Sequence, residues 1–370
     1  MSLVHIHGEY VSHDLCGYCH SNNSVSYAIT ADTLEASTYD RMINMGWRRS
    51  GNFLYRPVLH KTCCPSYAIR LMVEGFQISK SQRQVLRRFE RYLNTGSVLI
   101  ESSSMDTHIA PMEVTFDLVA AEFTSERYEL YKKYQVAVHQ DSPEDVTELA
   151  FTRFLCSSPL QTSDDEMKIQ YKATTITCGS YHQLYRVNGT LIAVSVIDVL
   201  PSGLSSVYAF YDPDKRYLSL GKYTALKEIE LCRTLQLKYY YLGFYIHSCA
   251  KMRYKGEYHP SELLCPTSFE WYFLKDCVPL IEKHKFTPFQ PQLAAERESV
   301  PDDRVDLLQK YSPRFTDKVD VVSIRLDLGI DRYLSLAQLN KRGVDILTPI
   351  LKEFVNQTGS ISSELIVKLH

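Results

Sequence analysis

Four cysteines early in the chain stand where thiol chemistry can be shared. Cys16 and Cys19 lie three apart in "DLCGYCHSNNSVSYAIT", and Cys63 and Cys64 are adjacent in "HKTCCPSYAIR". A C-x-x-C pair lets two thiolates meet one tetrahedral ion, and the adjacent pair can complete four sulfur ligands. Four thiolates also suit an iron–sulfur cluster, and residue types alone do not separate the two. The competing readings are a buried structural thiol at Cys63 or Cys64, or a redox switch. His13, His20 and His60 are near enough in sequence to substitute as ligands, although surface roles are the commoner use of such histidines.

Two further stretches offer chemistry. In "GWRRSGNFLYRP", Trp47 and Tyr55 with Arg48, Arg49 and Arg56 combine stacking surfaces and guanidinium forks, which suit acidic groups or nucleotides. A hairpin with solvated arginines on one face explains the same residues equally well. In "YYYLGFYIHSCAKMRYKGEYHPSELLCP", six tyrosines, Tyr241 and Tyr245 among them, surround His247, Lys251, Arg253 and Lys255. Hydroxyls and cations gathered at the end of a buried strand read as a polar pocket for an anion and a proton-transfer step. The plain alternative is a core strand followed by a solvated basic loop. Cys232 and Cys249 read as packing residues.

The rest of the chain bounds these readings. At 370 residues it exceeds what one core usually serves. No apolar run is long enough for a spanning helix, so no membrane is expected. The first residues do not form a secretory signal, and ten cysteines then point to a reducing compartment. The expected location is cytoplasmic, with the nucleus as a second address. The net charge of −2 conceals an asymmetry: from Arg41 to Arg91 eleven Lys or Arg face only Glu74 and Glu90. A basic stretch that long suits an anionic partner such as a phosphate backbone.

The elements that must position these residues follow from periodicity. Residues 1–95 read as a cysteine-rich basic module ending in a helix, "ISKSQRQVLRRFERYL". That helix sets Lys80, Arg83, Arg87 and Arg91 on one stripe and Val85, Leu86, Phe89 and Leu93 on another. Residues 96–172 read as a linker, "NTGSVLIESSSMDTH", then a helical region from about Val114 to His139, a helix start at 141–145 and a loop at "CSSPLQTSDDE". From 173 to 285 the grammar changes. A hairpin turns at Asn188-Gly189, a third strand closes at Asp212-Pro213, "KYTALKEIELCRTL" is helical, and "KYYYLGFYI" returns as a strand. That order predicts an α+β, N-acetyltransferase-like (GNAT-type) mixed-sheet fold. Residues 286–370 read as a closing segment of helix and strand. There is no phosphate loop, no G-x-S-x-G elbow and no H-E-x-x-H. The turn "YDPDKRYLSLGKYT" also lacks the Gly-rich loop that cradles the pyrophosphate of coenzyme A.

Taken together, "CGYCHSNNSVSYAIT", "GWRRSGNFLYRP", "CCPSYAIRL", "SVYAFYDPD" and the tyrosine-rich segment resemble the arginyl-tRNA–protein transferases of the eukaryotic N-degron pathway, the fungal members most. The resemblance covers roughly residues 12–95 and 173–280. It implies a metal ion, zinc, or an iron–sulfur cluster at Cys16, Cys19, Cys63 and Cys64. It also implies an acyltransferase fold that accepts aminoacyl-tRNA and needs no coenzyme A. The implied partners are arginyl-tRNA, proteins with N-terminal Asp, Glu or oxidised Cys, and the ubiquitin-ligase machinery of that pathway.

That chemistry assigns expected roles. Tyr241, Tyr245 and His247 are expected to position the reactants or relay a proton. Trp47, Arg48, Arg49, Tyr55, Lys61, Arg70, Lys251 and Arg253 are the expected substrate-binding set. Lys80, Arg83, Arg87, Arg91 and Lys255 are the expected tRNA contacts. Glu228, Glu230, Asp198 and Glu257 are candidate carboxylates for the arginyl group. On the residues alone, a non-catalytic RNA-binding or metal- and redox-sensing module and a coenzyme-A-dependent N-acetyltransferase stay open as alternatives.

Overall fold

The structure, a computed structural model, describes residues 2–13, 15–21, 24–96, 110–161, 168–172, 174–298, 321, 324–327 and 333–369. Most of the expected linker, 97–109, and part of the loop at 156–166 lie outside these residues. The chain is mixed α/β and forms two compact units. One comprises Met1–Met72, Pro159–Met167 and Leu242–His370, and the other Val73–Ser158 and Lys168–Tyr241. The expected module 1–95 is thus divided, its cysteines in the first unit and its basic helix in the second. No helix among the described residues is long and apolar enough to cross a membrane.

The second unit is built on an antiparallel sheet of Val114–Ala120, Gly179–Val187, Thr190–Val199 and Gly203–Tyr211. Asn188 and Gly189 both take positive φ, 47° and 77°, as a type I′ turn demands, so the hairpin forms where the sequence places it. Thr190–Val199 is buried along nearly its whole length, as a continuous apolar run in a central strand must be. Helix Leu220–Thr234 then leads to strand Tyr239–Tyr245, whose first residues pair in parallel with Gly203–Ser205. Helix Lys80–Thr95 begins with a Ser79–Gln82 capping box and ends at Gly96 with φ 69°. It buries Val85, Phe89 and Tyr92 and stacks Phe89 on Tyr223 at 4.0 Å, leaving Lys80, Arg83 and Arg87 exposed.

One expectation is corrected here. Val114–Ala120 is a strand, paired along its length with Gly179–Val187, and the helix starts only at Ser125. "VTFDLVA" carries β-branched and aromatic residues that fit a pleated surface better than a helix. Similarly, 141–145 precedes a helix that starts at Glu148 behind the Thr147 cap.

In the first unit, Ser2–His13 lies between Leu365–Leu369, parallel to it, and Ser24–Glu35, antiparallel to it. Phe53–Pro57 and Arg48–Ser50 extend the sheet as a hairpin. A second group of strands joins Tyr67–Met72, Ser261–Leu264 and Trp271–Phe273. Helix Lys341–Thr358 buries Leu351, Phe354, Val355 and Thr358. The carbonyl of Gln357, near its C-terminal end, accepts from Trp47 Nε1 at 3.0 Å and Arg56 Nη1 at 2.7 Å. A guanidinium beside late helical carbonyls both satisfies an orphan acceptor and opposes the negative end of the helix dipole.

The second unit also buries a carboxyl group. Glu228, 1 % exposed, accepts from Ser195 Oγ at 2.6 Å and from Tyr240 OH at 2.7 Å. Burial raises its pKa above the ordinary 4.5, against those hydrogen bonds. The native state therefore binds the proton more tightly than the unfolded chain. Its contribution is full below the ordinary glutamate value and is lost as pH rises through the raised one. Glu228→Gln should flatten that dependence, melting several degrees above wild type in mildly alkaline buffer and losing the advantage in mildly acidic buffer. Parallel pH slopes for the two proteins in thermal unfolding would show that the carboxyl is ionised in the native state.

Candidate functional site

The four expected cysteines come together in the first unit, all Sγ atoms lying within 4.8 Å of one another. Residues 15–21 turn back on themselves, with Cys16 N donating to Ser21 O and His20 N to Cys16 O, both at 2.9 Å. Cys63 and Cys64 follow the short helical turn Leu59–Lys61. Thr62 anchors that segment by donating to the Val25 and Val58 carbonyls. Ile246 packs with buried Cys16 and Cys64, and Cys63, Cys249 and Met252 border them.

The donor set fits one tetrahedral ion. Bonds of about 2.3 Å place sulfurs about 3.8 Å apart, and Cys19 and Cys63 stand at 3.4 Å. Exposed Cys19 is pulled down to about 6 by hydrogen bonds from Ser21, with Cys63 and Cys64 adding to the effect. Burial pushes the Cys63 and Cys64 thiols up. A divalent cation held among the sulfurs would reverse that resistance, because it would favour every thiolate at once. His20 is exposed, and His60 lines a cavity instead.

The polar strand end is assembled in part. Tyr245, 2 % exposed, places its hydroxyl 2.8 Å from His247 Nδ1. Burial raises the phenol's pKa, so it stays protonated and can donate to that nitrogen. The other ring nitrogen, Nε2, faces Glu282 Oε1 at 3.7 Å. Glu282 escaped the sequence reading because nothing near it in the chain announces a histidine partner. Tyr245 and Arg253 line a cavity of about 460 Å³ together with Glu257 and His259. Lys251 is exposed. Tyr241 belongs to the other unit, fully buried, with its hydroxyl 2.9 Å from Ser202 Oγ.

Several expected binding residues are instead committed inside the protein. Trp47 is 0 % exposed and offers no free face for stacking. Arg48 donates to the carbonyls of Ile43, Trp47 and Gly243 and lies over Phe244. Arg49 donates to Gly51 O across its own hairpin turn. Arg70 pairs with Glu262 at 2.8 Å, donates to Asn44 Oδ1 and covers the ring of Trp271 at 4.2 Å. The segment is a hairpin, but Arg48 and Arg49 are buried, not solvated, and Arg56 is half-buried. Tyr55 packs against Phe244.

The expected tRNA residues also separate. Lys80, Arg83 and Arg87 are exposed on their helix and Arg91 is half-buried. Lys255 is not beside them. It is partly exposed overall, but its ammonium lies against Gly243, 3.5 Å from where a Cβ would stand. Burial, with Arg48 nearby, lowers it to about 8. Gly243 takes φ 79° in mid-strand, so any side chain there meets both backbone strain and that lysine. Of the candidate carboxylates, Glu228 and Asp198 are sealed in the interior of the second unit. Glu230 is paired with Lys227, and Glu257 is exposed.

Comparison with known proteins follows the same residues. A family model described as arginine-tRNA-protein transferase, N terminus, matches residues 14–84, and its C-terminus counterpart matches 126–265. Arginyl-tRNA–protein transferase 1 of Drosophila melanogaster is 29 % identical over 80 % of this chain and 87 % of its own length. The enzyme of the same name from Saccharomyces cerevisiae is 32 % identical over 73 % and 62 %. The aspartate/glutamate leucyltransferase of Methylobacillus flagellatus is 33 % identical over 67 % and 84 %. A solved structure, L-PGS from Bacillus licheniformis, aligns at a TM-score of 0.26 with 13 % identity over 56 % of this chain and 50 % of that one, too distant to inform the fold.

Purified protein should carry about one metal ion per chain if one tetrahedral site is filled. Cys64→Ala should remove most of that metal and lower the unfolding temperature. Elemental analysis showing undiminished metal in the variant would place the ion elsewhere.

Proposed function

Because this chain belongs to the arginyl-tRNA–protein transferase family, we propose that it transfers arginine from arginyl-tRNA to the α-amine of proteins beginning with Asp, Glu or oxidised Cys. The observation that carries this reading is the matching of both family models, which together span the cysteine loop and the tyrosine-rich strand. It is an aminoacyltransferase. The order of hairpin, strand, helix and parallel strand in the second unit supports an acetyltransferase-like core. The absent pyrophosphate loop supports an RNA-borne donor over coenzyme A. A cytoplasmic setting and hand-over of products to a ubiquitin ligase complete the proposal.

The chemistry is aminolysis. The neutral amine attacks the ester carbonyl, a C–N bond forms, and the C–O bond to the terminal ribose breaks. The amine gives up a proton and the ribose oxygen takes one. An α-amino group has a reference pKa near 8, so a useful fraction is neutral at cytosolic pH. The enzyme must chiefly orient the two substrates, move that proton and stabilise the oxyanion. Tyr245, as donor, and His247, backed by Glu282, are the groups best arranged for it. Arg253 and Lys251 near the same strand end remain available to substrates, whereas Arg48, Arg49 and Arg70 serve by holding the fold. Exposed Lys80, Arg83 and Arg87 supply the phosphate track. The compactness of the four sulfurs supports a single ion, zinc, over a cluster whose bridging sulfides would hold its thiolates farther apart. When bound, that ion supplies a fixed charge that locks two distant segments together.

Labelled arginine should pass from arginyl-tRNA to a peptide beginning with Asp and not to its N-acetylated form. Transfer to neither, with tRNA still bound, would reduce the protein to a binding module. Charge reversal at Lys80, Arg83 and Arg87 should make the log–log salt dependence of tRNA binding shallower by roughly one per lost contact. An unchanged slope would make this helix face a solvated surface only.

A further inference from the structure

The first unit encloses a cavity of about 290 Å³ whose wall joins Tyr10, the segment Arg56–Lys61, and helix Lys341–Thr358 through Glu353 and Gln357. Tyr10, Glu353 and Gln357 lie outside both matched segments, 14–84 and 126–265. At one end, Tyr10 OH donates to Glu353 Oε1 at 2.5 Å and Gln357 Nε2 donates to the same oxygen at 2.8 Å. Two polar atoms on this wall, Gln357 Oε1 and His60 Nε2, are buried without a hydrogen-bond partner. Such atoms are uncommon in a folded protein and call for an explanation. Lys61 Nζ stands 4.8 Å from the centre of the Tyr10 ring, so the ring lies between a cation and a carboxylate. Arg56 is already committed, to the carbonyl of Gln357 and the ring of Phe269. Burial lowers His60 to about 4, which keeps its ring neutral and its Nε2 free to donate or accept.

This wall is complementary to a small ligand with an amine and a carboxylate a few bonds apart. An arginyl ester fits it poorly, because guanidinium and ammonium are both cations and leave Lys61 opposed. We propose that the cavity seats the first residue of the acceptor protein, with Glu353 and Gln357 Oε1 accepting from the α-amine and Lys61 and His60 Nε2 holding the acidic side chain. This rests on the transfer reading above. It makes Glu353 and Gln357 specificity-determining residues supplied by a helix outside the matched segments. Both are acceptors, so they hold the amine whether it is charged or neutral.

The test compares wild type with Lys61→Met and Glu353→Gln, using peptides that begin with Asp, Asn or acetyl-Asp, with arginyl-tRNA as the second substrate. Lys61→Met should raise KM for the Asp peptide about tenfold and leave binding of the Asn peptide unchanged, since only the former presents a charge to it. Glu353→Gln should weaken both free-amine peptides about tenfold and leave binding of the acetylated one unmoved. Neither should alter KM for arginyl-tRNA. Lys61 is exposed, so its replacement leaves folding intact even if Glu353→Gln proves unstable. Unchanged peptide KM in Lys61→Met with transfer intact would overturn the proposal while sparing the transfer reading. A raised KM for arginyl-tRNA would assign the cavity to the donor and overturn it equally. Absence of both binding and transfer in wild type would defeat the transfer reading itself.

Discussion

Four sulfur atoms held within 4.8 Å of one another are the constraint on which the first unit depends. Thiolates cannot gather so closely without a cation among them, and thiols gathered so closely without one do not ionise together. The loop at residues 15–21 and the segment at 62–66 have little regular structure of their own. What fixes them is the loop's own backbone hydrogen bonds, the Thr62 anchor, and the packing of the sulfurs against Ile246 and Met252. Because Ile246 directly precedes His247, the same contact bears on the residue that follows the tyrosine strand. The cysteine centre thus bears on a backbone position, and the side chain beyond it is the histidine that meets the Tyr245 hydroxyl.

Much of this was legible because local rules sufficed. Asn188-Gly189 announces its hairpin through φ angles that few other pairs tolerate, and Val85 and Phe89 repeat at helical spacing. The cysteines declare themselves by residue type. What was not legible depends on partners remote in sequence. Arg48 and Arg70 read as cations for a substrate until Gly243 O and Glu262 are seen beside them. Glu228 reads as a carboxylate for an arginyl group until the hydroxyls of Ser195 and Tyr240 enclose it. Charge is visible in a sequence, but whether it is already spent is a property of packing. Val114–Ala120 failed differently: a seven-residue run exposed only at Asp117 and Ala120 is compatible with helix or strand, and only pairing decides between them.

The buried arginines also show how a basic segment can serve the fold. Trp47 and Arg56 close the end of a helix three hundred residues away in the chain through one carbonyl. A lysine would manage less, since a guanidinium can reach that carbonyl and lie over the Phe269 ring at once. Basic composition in residues 41–91 therefore overstates the positive charge that the surface presents.

The parallel pairing of Ser2 with Leu365 has a consequence for synthesis. Ser2–His13 acquires its neighbour on that side only after residue 365 has been translated, whereas the strands of the second unit meet partners lying much closer in sequence. The second unit can therefore collapse on the emerging chain while the cysteine-bearing one waits with a bare edge. During that wait its thiols are open to oxidants and stray ions. That sheet therefore stays incomplete until nearly all of the 370 residues have been made.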